Sequence, residues 1–151
     1  AMLRRKIRSN DFKIETMNLY SKLYERSLIE LKFQGFIASN FEITENGLAH
    51  IYISNQTLKE HNVDAATAGN MINNFNFVEG VYIWVIFSED KPNGNIRVSI
   101  RSRGPIINDI AEQFGGGGHM YASGTKLTEF GKTKELIAEL DKRLIVSKSN
   151  E

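Results

Sequence analysis

Residues 82–87, Tyr-Ile-Trp-Val-Ile-Phe, form an apolar run without a polar face. Short runs of β-branched and aromatic residues are typical of strands that lie inside a sheet and are covered on both sides. Beyond a turn at residues 91–94, apolar and polar residues alternate with a period of two, which predicts a neighbouring strand with one apolar face. The polar face of this second strand carries Arg97, Ser99, Arg101 and Arg103.

Helical spacing and turn residues predict the elements before this sheet core. Apolar residues recur near helical spacing between residues 9 and 34 and are expected to pack on another surface as one stripe: Met17, Leu19, Tyr20, Leu23, Tyr24, Leu28 and Leu31. Gly35 is expected to end that helical segment. A hairpin is expected around Asn46-Gly47, because this pair adopts the positive φ of tight turns. Asp64 is expected to cap a helix that extends to Phe75. The ranges expected here are hairpin strands at 36–44 and 49–54 and a short helix at 57–61.

The elements after the sheet core are predicted in the same way. Pro105 fits the first turn of a helix that ends near Phe114. Gly115 fits the position just beyond that helix, where a left-handed conformation is common. A last strand is expected at residues 125–130, and an amphipathic helix at residues 133–145 is expected to close the domain.

Composition restricts the classes of function. The 151 residues are 41% hydrophobic and 25% charged, which is enough for one substantial core. The net charge is +1, so affinity for anions must come from local clusters of charge. The sequence has no cysteine, which excludes disulfides and thiolate metal sites and fits a cytoplasmic protein. The longest apolar run, at residues 81–87, is far shorter than a membrane span, and no membrane partner is expected.

Four consecutive glycines, Gly115, Gly116, Gly117 and Gly118, precede His119. A loop without Cβ atoms lets backbone N–H groups turn toward an anion and lets a ligand approach the main chain. A short helical turn that opens at or just before His119 would add the positive end of its dipole. The segment is therefore interpreted as a phosphate cradle, and the alternative is a flexible linker.

Side chains on both sides of the glycines suit the same ligand. Arg101 and Arg103 carry planar guanidinium groups that can bind a phosphate at two points. His119 can donate to a phosphate oxygen when neutral and partly neutralise it when protonated. The alternatives are solvated strand arginines and a histidine that caps a helix. Ala122 and Ser123 are expected to permit close packing and ligand approach without reacting.

Residues 116–124 fit the pattern Gly-Gly-Gly-His-x-x-Ala-[Ala/Ser]-Gly throughout. Together with Arg-Ser-Arg-Gly at 101–104 and Asn-Asp-Ile-Ala at 108–111, this pattern resembles the DHH-associated substrate-binding domain of DHH-family phosphoesterases. The resemblance covers about residues 28–143 and is strongest for the branch of bifunctional oligoribonucleases and 3′-phosphoadenosine-5′-phosphate phosphatases, the nano-RNases. It implies that Arg103 contacts the nucleotide and that His119 reaches across a cleft toward the substrate phosphate.

The catalytic motifs of that family are missing from this sequence. DHH enzymes resemble one another in an N-terminal domain, where Asp-x-Asp and Asp-His-His motifs hold two divalent metals, usually manganese, that activate water. Neither motif occurs here, and the histidines are His50, His61 and His119. The chain begins with Ala1-Met2, as a cleavage scar would. It is therefore interpreted as the C-terminal half of a two-domain enzyme, inactive alone and without catalytic residues or metal ligands.

The resemblance implies an α+β fold with a mixed sheet of about five strands flanked by helices. Residues 1–34 are expected to form a helical linker or the end of the catalytic domain, 35–147 the substrate-binding domain, and 148–151 a tail. The expected ligands are short RNA and nucleotide phosphates, and the expected partner is the catalytic domain of the same parent protein. Two alternatives stay open: the substrate domain of a cyclic di-AMP phosphodiesterase, and a nucleic-acid-binding or dimerisation module like the tail of alanyl-tRNA synthetases. A homodimer also stays open.

Overall fold

The computed structural model describes residues 2–24 and 27–150, with side chains at 10–19, 21–22 and 27–150. One six-stranded sheet organises the chain. Its strands are β1 (Glu42–Ile43), β2 (Leu48–Ile53), β3 (Ile83–Asp90), β4 (Asn95–Ser102), β5 (Gly117–His119) and β6 (Ala122–Leu127). They lie in the order β1-β2-β3-β4-β6-β5; β2 and β3 run parallel, and the other neighbours run antiparallel. The predicted α+β class and mixed sheet are confirmed, with one strand more than expected.

The helices of the described part are α1 (Met2–Tyr24), α2 (Leu28–Asn40), α3 (Asn55–Glu60), α4 (Ala65–Asn70), α5 (Asn108–Gln113) and α6 (Gly131–Ser149). The prediction that Gly35 ends the first helical segment is wrong, because α2 continues through it to Asn40. Phe33 and Ile37, one turn apart on α2, are fully buried. Their burial outweighs the cost of about 1 kcal/mol for an exposed glycine inside a helix. The first hairpin strand is accordingly only two residues long.

Helices cover both faces of β3, as its apolar run predicts. Trp84 and Ile86 pack on one face with Phe33 and Ile37 of α2. The opposite face of β3 packs against α5 and α6. The residues of that second core include Ile83, Val85, Phe87, Ile110, Leu136, Leu140 and Leu144. The sheet therefore separates two apolar cores, and β3 contributes to each of them with alternate side chains.

Several local predictions are confirmed. The Asp64 carboxylate accepts a hydrogen bond of 2.7 Å from the backbone N–H of Thr67 and caps α4, which continues as a 3₁₀ turn at Met71–Phe75. The turn between β3 and β4 closes at Gly94, whose φ of 68° is the left-handed conformation that glycine favours. In β4, Ile96, Val98 and Ile100 are buried. Capping and turn chemistry therefore predicted these elements correctly.

Three predicted boundaries are wrong. The helix α5 begins at Asn108 and not at Pro105, which lies in the preceding loop, where its carbonyl accepts a 2.6 Å hydrogen bond from Ser102 Oγ. The last strand begins at Ala122 rather than at Thr125, because it pairs with β5. The closing helix extends from Gly131 to Ser149, past the predicted end at residue 145. The domain boundaries at 34 and 147 lie inside α2 and α6 and stay a prediction.

Two further features lie outside the core. Apolar side chains of α1 that the sequence analysis expected to pack, including Met17 and Leu19, are exposed. Tyr20, Leu23 and Tyr24 of the same stripe lie outside the described side chains. Among the helices of the described ranges, none combines the length and the apolar character that a membrane span requires.

Candidate functional site

The glycine run ends in a β-hairpin. Gly117–His119 form the edge strand β5, which pairs with β6 through a two-residue loop of Met120 and Tyr121. Ser123 Oγ donates a 2.7 Å hydrogen bond to the carbonyl of His119 and closes the hairpin. The prediction of a helical turn at His119 is therefore wrong, since α5 ends at Gln113 and the next helix begins at Gly131. Any anion affinity at His119 must come from side chains and from the open edge of β5.

The first two glycines use their backbone N–H groups inside the protein. Gly115 N donates to the carbonyl of Glu112 at 3.0 Å, and Gly116 N donates to the carbonyl of Ala111 at 2.9 Å. Gly115 has a φ of +85° directly after the end of α5, which confirms its predicted place beyond the helix. These two N–H groups therefore close a helix, and the ligand-binding role predicted for the glycines would fall to Gly117 and Gly118.

Close packing accounts for the glycine at two positions. A Cβ at Gly116 would lie 2.5 Å from Thr125 Cβ and would also overlap the carbonyl of Gly124. A Cβ at Gly118, whose φ is +142°, would lie 2.7 Å from the carbonyl of Ala122. A Cβ at Gly117 would make only ordinary contact, at 3.8 Å from Glu112 Cγ. Packing of the hairpin against β6 therefore explains much of the glycine run, whereas Gly117 retains open space.

One row of paired residues crosses the open end of the sheet. Arg101 of β4 pairs with Ala122 of β6, and Ala122 pairs with His119 of β5. Directly paired residues direct their side chains to the same face, so Arg101 and His119 share a face two strand spacings, about 10 Å, apart. Ala122 lies between them with only a methyl group. Arg101 and His119 therefore border a shallow depression above Ala122.

The Arg101 guanidinium is held in place by two hydrogen bonds. Arg101 Nε donates to Asn73 Oδ1 at 3.0 Å, and Nη1 donates to the carbonyl of Ile100 at 2.8 Å. Arg101 is half-buried, and this burial lowers the pKa of its guanidinium, which stays charged at neutral pH. Its Nη2 has no hydrogen-bond partner among the described residues. Arg101 is therefore an oriented cation with donor capacity left for a ligand.

Arg103 lies just beyond the end of β4, and its contacts differ. Arg103 Nε donates to the carbonyl of Val81 at 2.6 Å, and Nη2 donates to the carbonyl of Val78 at 3.0 Å. Its guanidinium carbon lies 4.9 Å from the centre of the Tyr82 ring, within the range of a cation–π contact. Arg103 is exposed. It is therefore fixed against the loop before β3 rather than across the depression above Ala122.

His119 differs from the other two histidines. It is exposed, and its imidazole has no hydrogen-bond or ion-pair partner within the described ranges. His61 packs against Phe33 and Phe36, with ring centres 5.2 and 4.8 Å apart. His50 is partly buried, and this burial lowers its pKa although Glu42 and Asp141 act in the opposite direction. His119 is therefore available to a ligand in a way that His50 and His61 are not.

The same face carries further charges along β4 and β6. Arg97 pairs with Lys126, and the intervening row of Ser99, Gly124 and Gly117 has at most a hydroxymethyl side chain. Sequence alternation indicated Arg97, whereas Lys126 was not singled out, because its pairing with Arg97 depends on the register between β4 and β6. Glu112 approaches the edge of this face at Gly117 and is an anion near its border. The face is therefore predominantly cationic, with a floor of small residues.

Sequence reasoning also missed the residues that orient the arginines. Asn73 lies in the 3₁₀ turn after α4, and Val78 and Val81 act through their carbonyl groups. None of these positions has a sequence signal for ligand binding, because the contacts depend on the tertiary fold. Within the described ranges, no group of three or more His, Cys, Asp or Glu side chains could hold a metal ion. The metals that the resemblance implies therefore do not fit this part of the chain.

Comparison with known proteins agrees with this fold. Residues 46–145 match the family model of the DHHA1 domain. The chain therefore belongs to the DHHA1 domain family.

Three similar proteins illustrate the range of this fold. The bifunctional oligoribonuclease and PAP phosphatase NrnA of Bacillus subtilis (strain 168) is 33% identical over 130 residues, which is 86% of this chain and 41% of the relative. An exopolyphosphatase-related protein from Bacteroides fragilis has a TM-score of 0.67 at 24% identity, over 85% of this chain and 38% of the other. The C-Ala domain of Aquifex aeolicus alanyl-tRNA synthetase has a TM-score of 0.51 at 14% identity, over 70% of this chain and 97% of the other. The chain thus spans about two fifths of the length of its curated relative.

Proposed function

We propose that this chain is the substrate-binding domain of a DHH-family phosphoesterase. Its substrates are short oligoribonucleotides and 3′-phosphoadenosine-5′-phosphate, and a terminal phosphate of the nucleotide lies in the depression between Arg101 and His119. A catalytic domain of the same parent protein, with two divalent metals such as manganese, would cleave the phosphoester. This chain would bind and orient the nucleotide and would supply no catalytic residue.

The row of Arg101, Ala122 and His119 across three strands is the observation that carries this proposal. Arg101 is oriented by Asn73 and retains a donor, and His119 is exposed. The small side chain of Ala122 leaves room for a tetrahedral anion between two groups that can donate to it. Two donors on either side of one small residue suit a single phosphate, so the depression would bind the end of a short nucleotide rather than a long backbone.

The curated relative supports the choice of substrate. The Bacillus subtilis protein is named as an oligoribonuclease and PAP phosphatase, and the similarity covers most of this chain. The likeness to the C-Ala domain at 14% identity shows the fold alone.

Titration of the chain with 3′-phosphoadenosine-5′-phosphate and with the linear diadenylate pApA tests the proposal. We expect saturable binding, with amide NMR shifts at Gly117, Gly118 and His119. Arg101→Ala and His119→Ala should each weaken binding roughly 10- to 100-fold, since each removes a donor to a charged group. His119→Gln keeps a donor and should lose less affinity than His119→Ala.

Lys134→Ala provides the matched control, because Lys134 is an exposed cation on α6, at the opposite face of the sheet. It should leave affinity within about twofold. Absence of binding by the wild-type chain, or equal losses in Lys134→Ala and Arg101→Ala, would contradict the proposal. Tighter binding of cyclic di-AMP than of pApA would favour the phosphodiesterase alternative. Binding only of long RNA would favour the nucleic-acid-binding module.

A further inference from the structure

Phe77 combines a strained backbone with an exposed aromatic ring. Its φ is +62°, and its side chain is 81% exposed. Within the described residues, Asn62 is the other non-glycine residue with positive φ, and asparagine tolerates this conformation far better than phenylalanine. The strain at Phe77 is not offset by burial of its side chain, because the ring lies in solvent. Strained residues cluster at ligand sites, so the surroundings of Phe77 are informative.

The loop that presents Phe77 is tied to the two arginines of the candidate site. Arg101 donates to Asn73, four residues before Phe77, and Arg103 donates to the carbonyl of Val78, directly after it. Asn76 Nδ2 donates to the carbonyl of Asn73 at 3.0 Å and closes a turn just before Phe77. The exposed Phe77 ring is therefore held near the cationic end of the sheet.

Arg103 and Tyr82 provide a second flat surface beside this loop. The guanidinium lies on the Tyr82 ring, and its in-plane donors are directed at the carbonyls of Val78 and Val81. Both side chains are exposed, with Tyr82 at 41%. Arg103 therefore keeps surface open to solvent beside the Tyr82 ring. Guanidinium planes and aromatic rings are the surfaces on which proteins stack nucleobases.

We propose that Phe77 and the Arg103–Tyr82 pair form a stacking platform for the nucleobase of the bound nucleotide. The inference rests on the proposed function, because it assumes a nucleotide whose phosphate lies between Arg101 and His119. Arg103 then contacts the nucleotide through its planar face, and the phosphate is left to Arg101 and His119. Stacking accepts any base, so the platform would add affinity for a nucleotide without strong selection among bases.

A comparison of 3′-phosphoadenosine-5′-phosphate with its abasic counterpart, the ribose 3,5-bisphosphate that lacks adenine, tests this inference on the full chain. The wild-type chain should prefer the adenine ligand. Phe77→Asn should reduce this preference roughly 5- to 150-fold, the range of a lost base–aromatic contact. Arg103→Lys, which keeps the charge and loses the plane, should also reduce the preference. His119→Ala should weaken both ligands by a similar factor.

The melting temperature separates ligand binding from a structural role. Asparagine fits the positive φ, so Phe77→Asn should raise the melting temperature by roughly 2–4 °C while it weakens binding of the adenine ligand. Phe12→Ala is the matched control, because Phe12 is a 70% exposed phenylalanine on α1. It should leave the preference for adenine unchanged.

The outcomes distinguish this inference from the proposed function. Equal binding of both ligands by the wild-type chain, or an unchanged preference in Phe77→Asn, would overturn the platform and leave the phosphate site intact. A Phe77→Asn variant that changes the oligomeric state and not the preference would assign Phe77 to a protein interface, and would also overturn it. Failure of the wild-type chain to bind either ligand would overturn both proposals.

Discussion

The covered centre of the sheet, at β3, and its open edge, at β5 and β6, use the same alternation of side chains in different ways. In β3 both faces are apolar and covered by helices, so Trp84 and Phe87 are almost completely buried on opposite sides. In β5 and β6 one face is left without a helix layer, and its residues are small or cationic. The covered centre supplies the stability of the fold, and the open edge has room for a ligand.

This difference shows why the glycines need not all serve a ligand. Gly116 and Gly118 lie where the hairpin backbone packs directly on β6, and a side chain at either position would overlap that strand. The open face then results partly from packing, because a strand of small residues gives a floor without side chains. Arg101 and His119 rise on either side of that floor. Close packing of the backbone therefore depends on Gly116 and Gly118, whereas room for a ligand depends on Gly117.

The largest expected effect would come from the covered centre of the sheet. Phe87→Ala removes a ring that is 1% exposed and should lower the free energy of unfolding by about 3–5 kcal/mol, since it leaves a cavity between β3 and α6. Met120→Ala, at the exposed hairpin loop, should change it by less than about 0.5 kcal/mol. Urea denaturation measures both. A loss below about 1 kcal/mol in Phe87→Ala would contradict the burial described for β3.

A pair of glycine substitutions tests whether Gly116 is closely packed while Gly117 has open space. Gly116→Ala should cost about 1–3 kcal/mol of stability, because its Cβ would overlap β6. Gly117→Ala has room for its Cβ and should leave stability unchanged or slightly raised. Thermal unfolding of the two variants and of the wild type measures both changes in stability. Equal destabilisation by both would mean that the open floor at Gly117 is also closely packed.

A smaller effect is expected for the ion pair that joins α5 to α6. Arg143 binds Asp109 through two hydrogen bonds of 2.9 and 2.7 Å, and this contact lowers the pKa of the Asp109 carboxyl. A carboxyl with a lowered pKa in the folded state stabilises the protein above its ordinary pKa, and this contribution is lost as the pH falls. Because Asp109 is half exposed, Asp109→Asn should cost less than about 1 kcal/mol at pH 7.

The pH dependence of stability tests the ion pair of Asp109 and Arg143. The stability difference between wild type and Asp109→Asn should shrink as the pH falls below about 3.9, and urea denaturation at a series of pH values measures it. Lys142, which pairs with Glu139 on the surface of α6, offers a control: Lys142→Ala should have a smaller effect at pH 7. A stability difference between wild type and Asp109→Asn that grows toward acid pH would contradict the lowered pKa of Asp109.

The smallest expected effect concerns the edge of the open face. Glu112 approaches Gly117, and its charge opposes an anion bound near His119. Glu112→Gln should therefore raise the affinity for 3′-phosphoadenosine-5′-phosphate about twofold, as expected for one screened surface charge. Glu45→Gln, in the turn between β1 and β2, should have no effect. A weaker affinity in Glu112→Gln would place the carboxylate in contact with the ligand instead.

Local signals predicted a large part of the fold. The cap at Asp64, the turn that closes at Gly94 and the alternation in β4 depend on a few neighbouring residues, and each was predicted correctly. The prediction at Gly35 was wrong because the burial of Phe33 and Ile37 outweighs the low helix propensity of one glycine. Pro105 was misplaced because many residues fit the first turn of a helix, and the choice depends on loop contacts.

The site residues Arg101, Arg103, Ala122, Ser123 and His119 were named from the sequence, and their ligand roles stay predictions. Their arrangement was not accessible from the sequence. The prediction of a helical turn at His119 followed the usual geometry of phosphate sites, whereas pairing with β6 makes this residue part of a strand. The pair of His119 and Ala122 is local, but Arg101 and Ala122 lie about twenty residues apart, and their pairing depends on how β4 and β6 pack together.

The sequence by itself determined the chemistry that is present: two arginines at a strand end, four glycines, a histidine, and a central apolar strand. It also determined the family, through a short ordered motif. Only the tertiary structure decided that Arg101 and His119 face one depression, that Arg103 is committed to Val78, Val81 and Tyr82, and that Phe77 lies strained beside them. The physical reason is that residue types and local propensities act along the chain, whereas strand register and long-range hydrogen bonds form only when distant segments pack together.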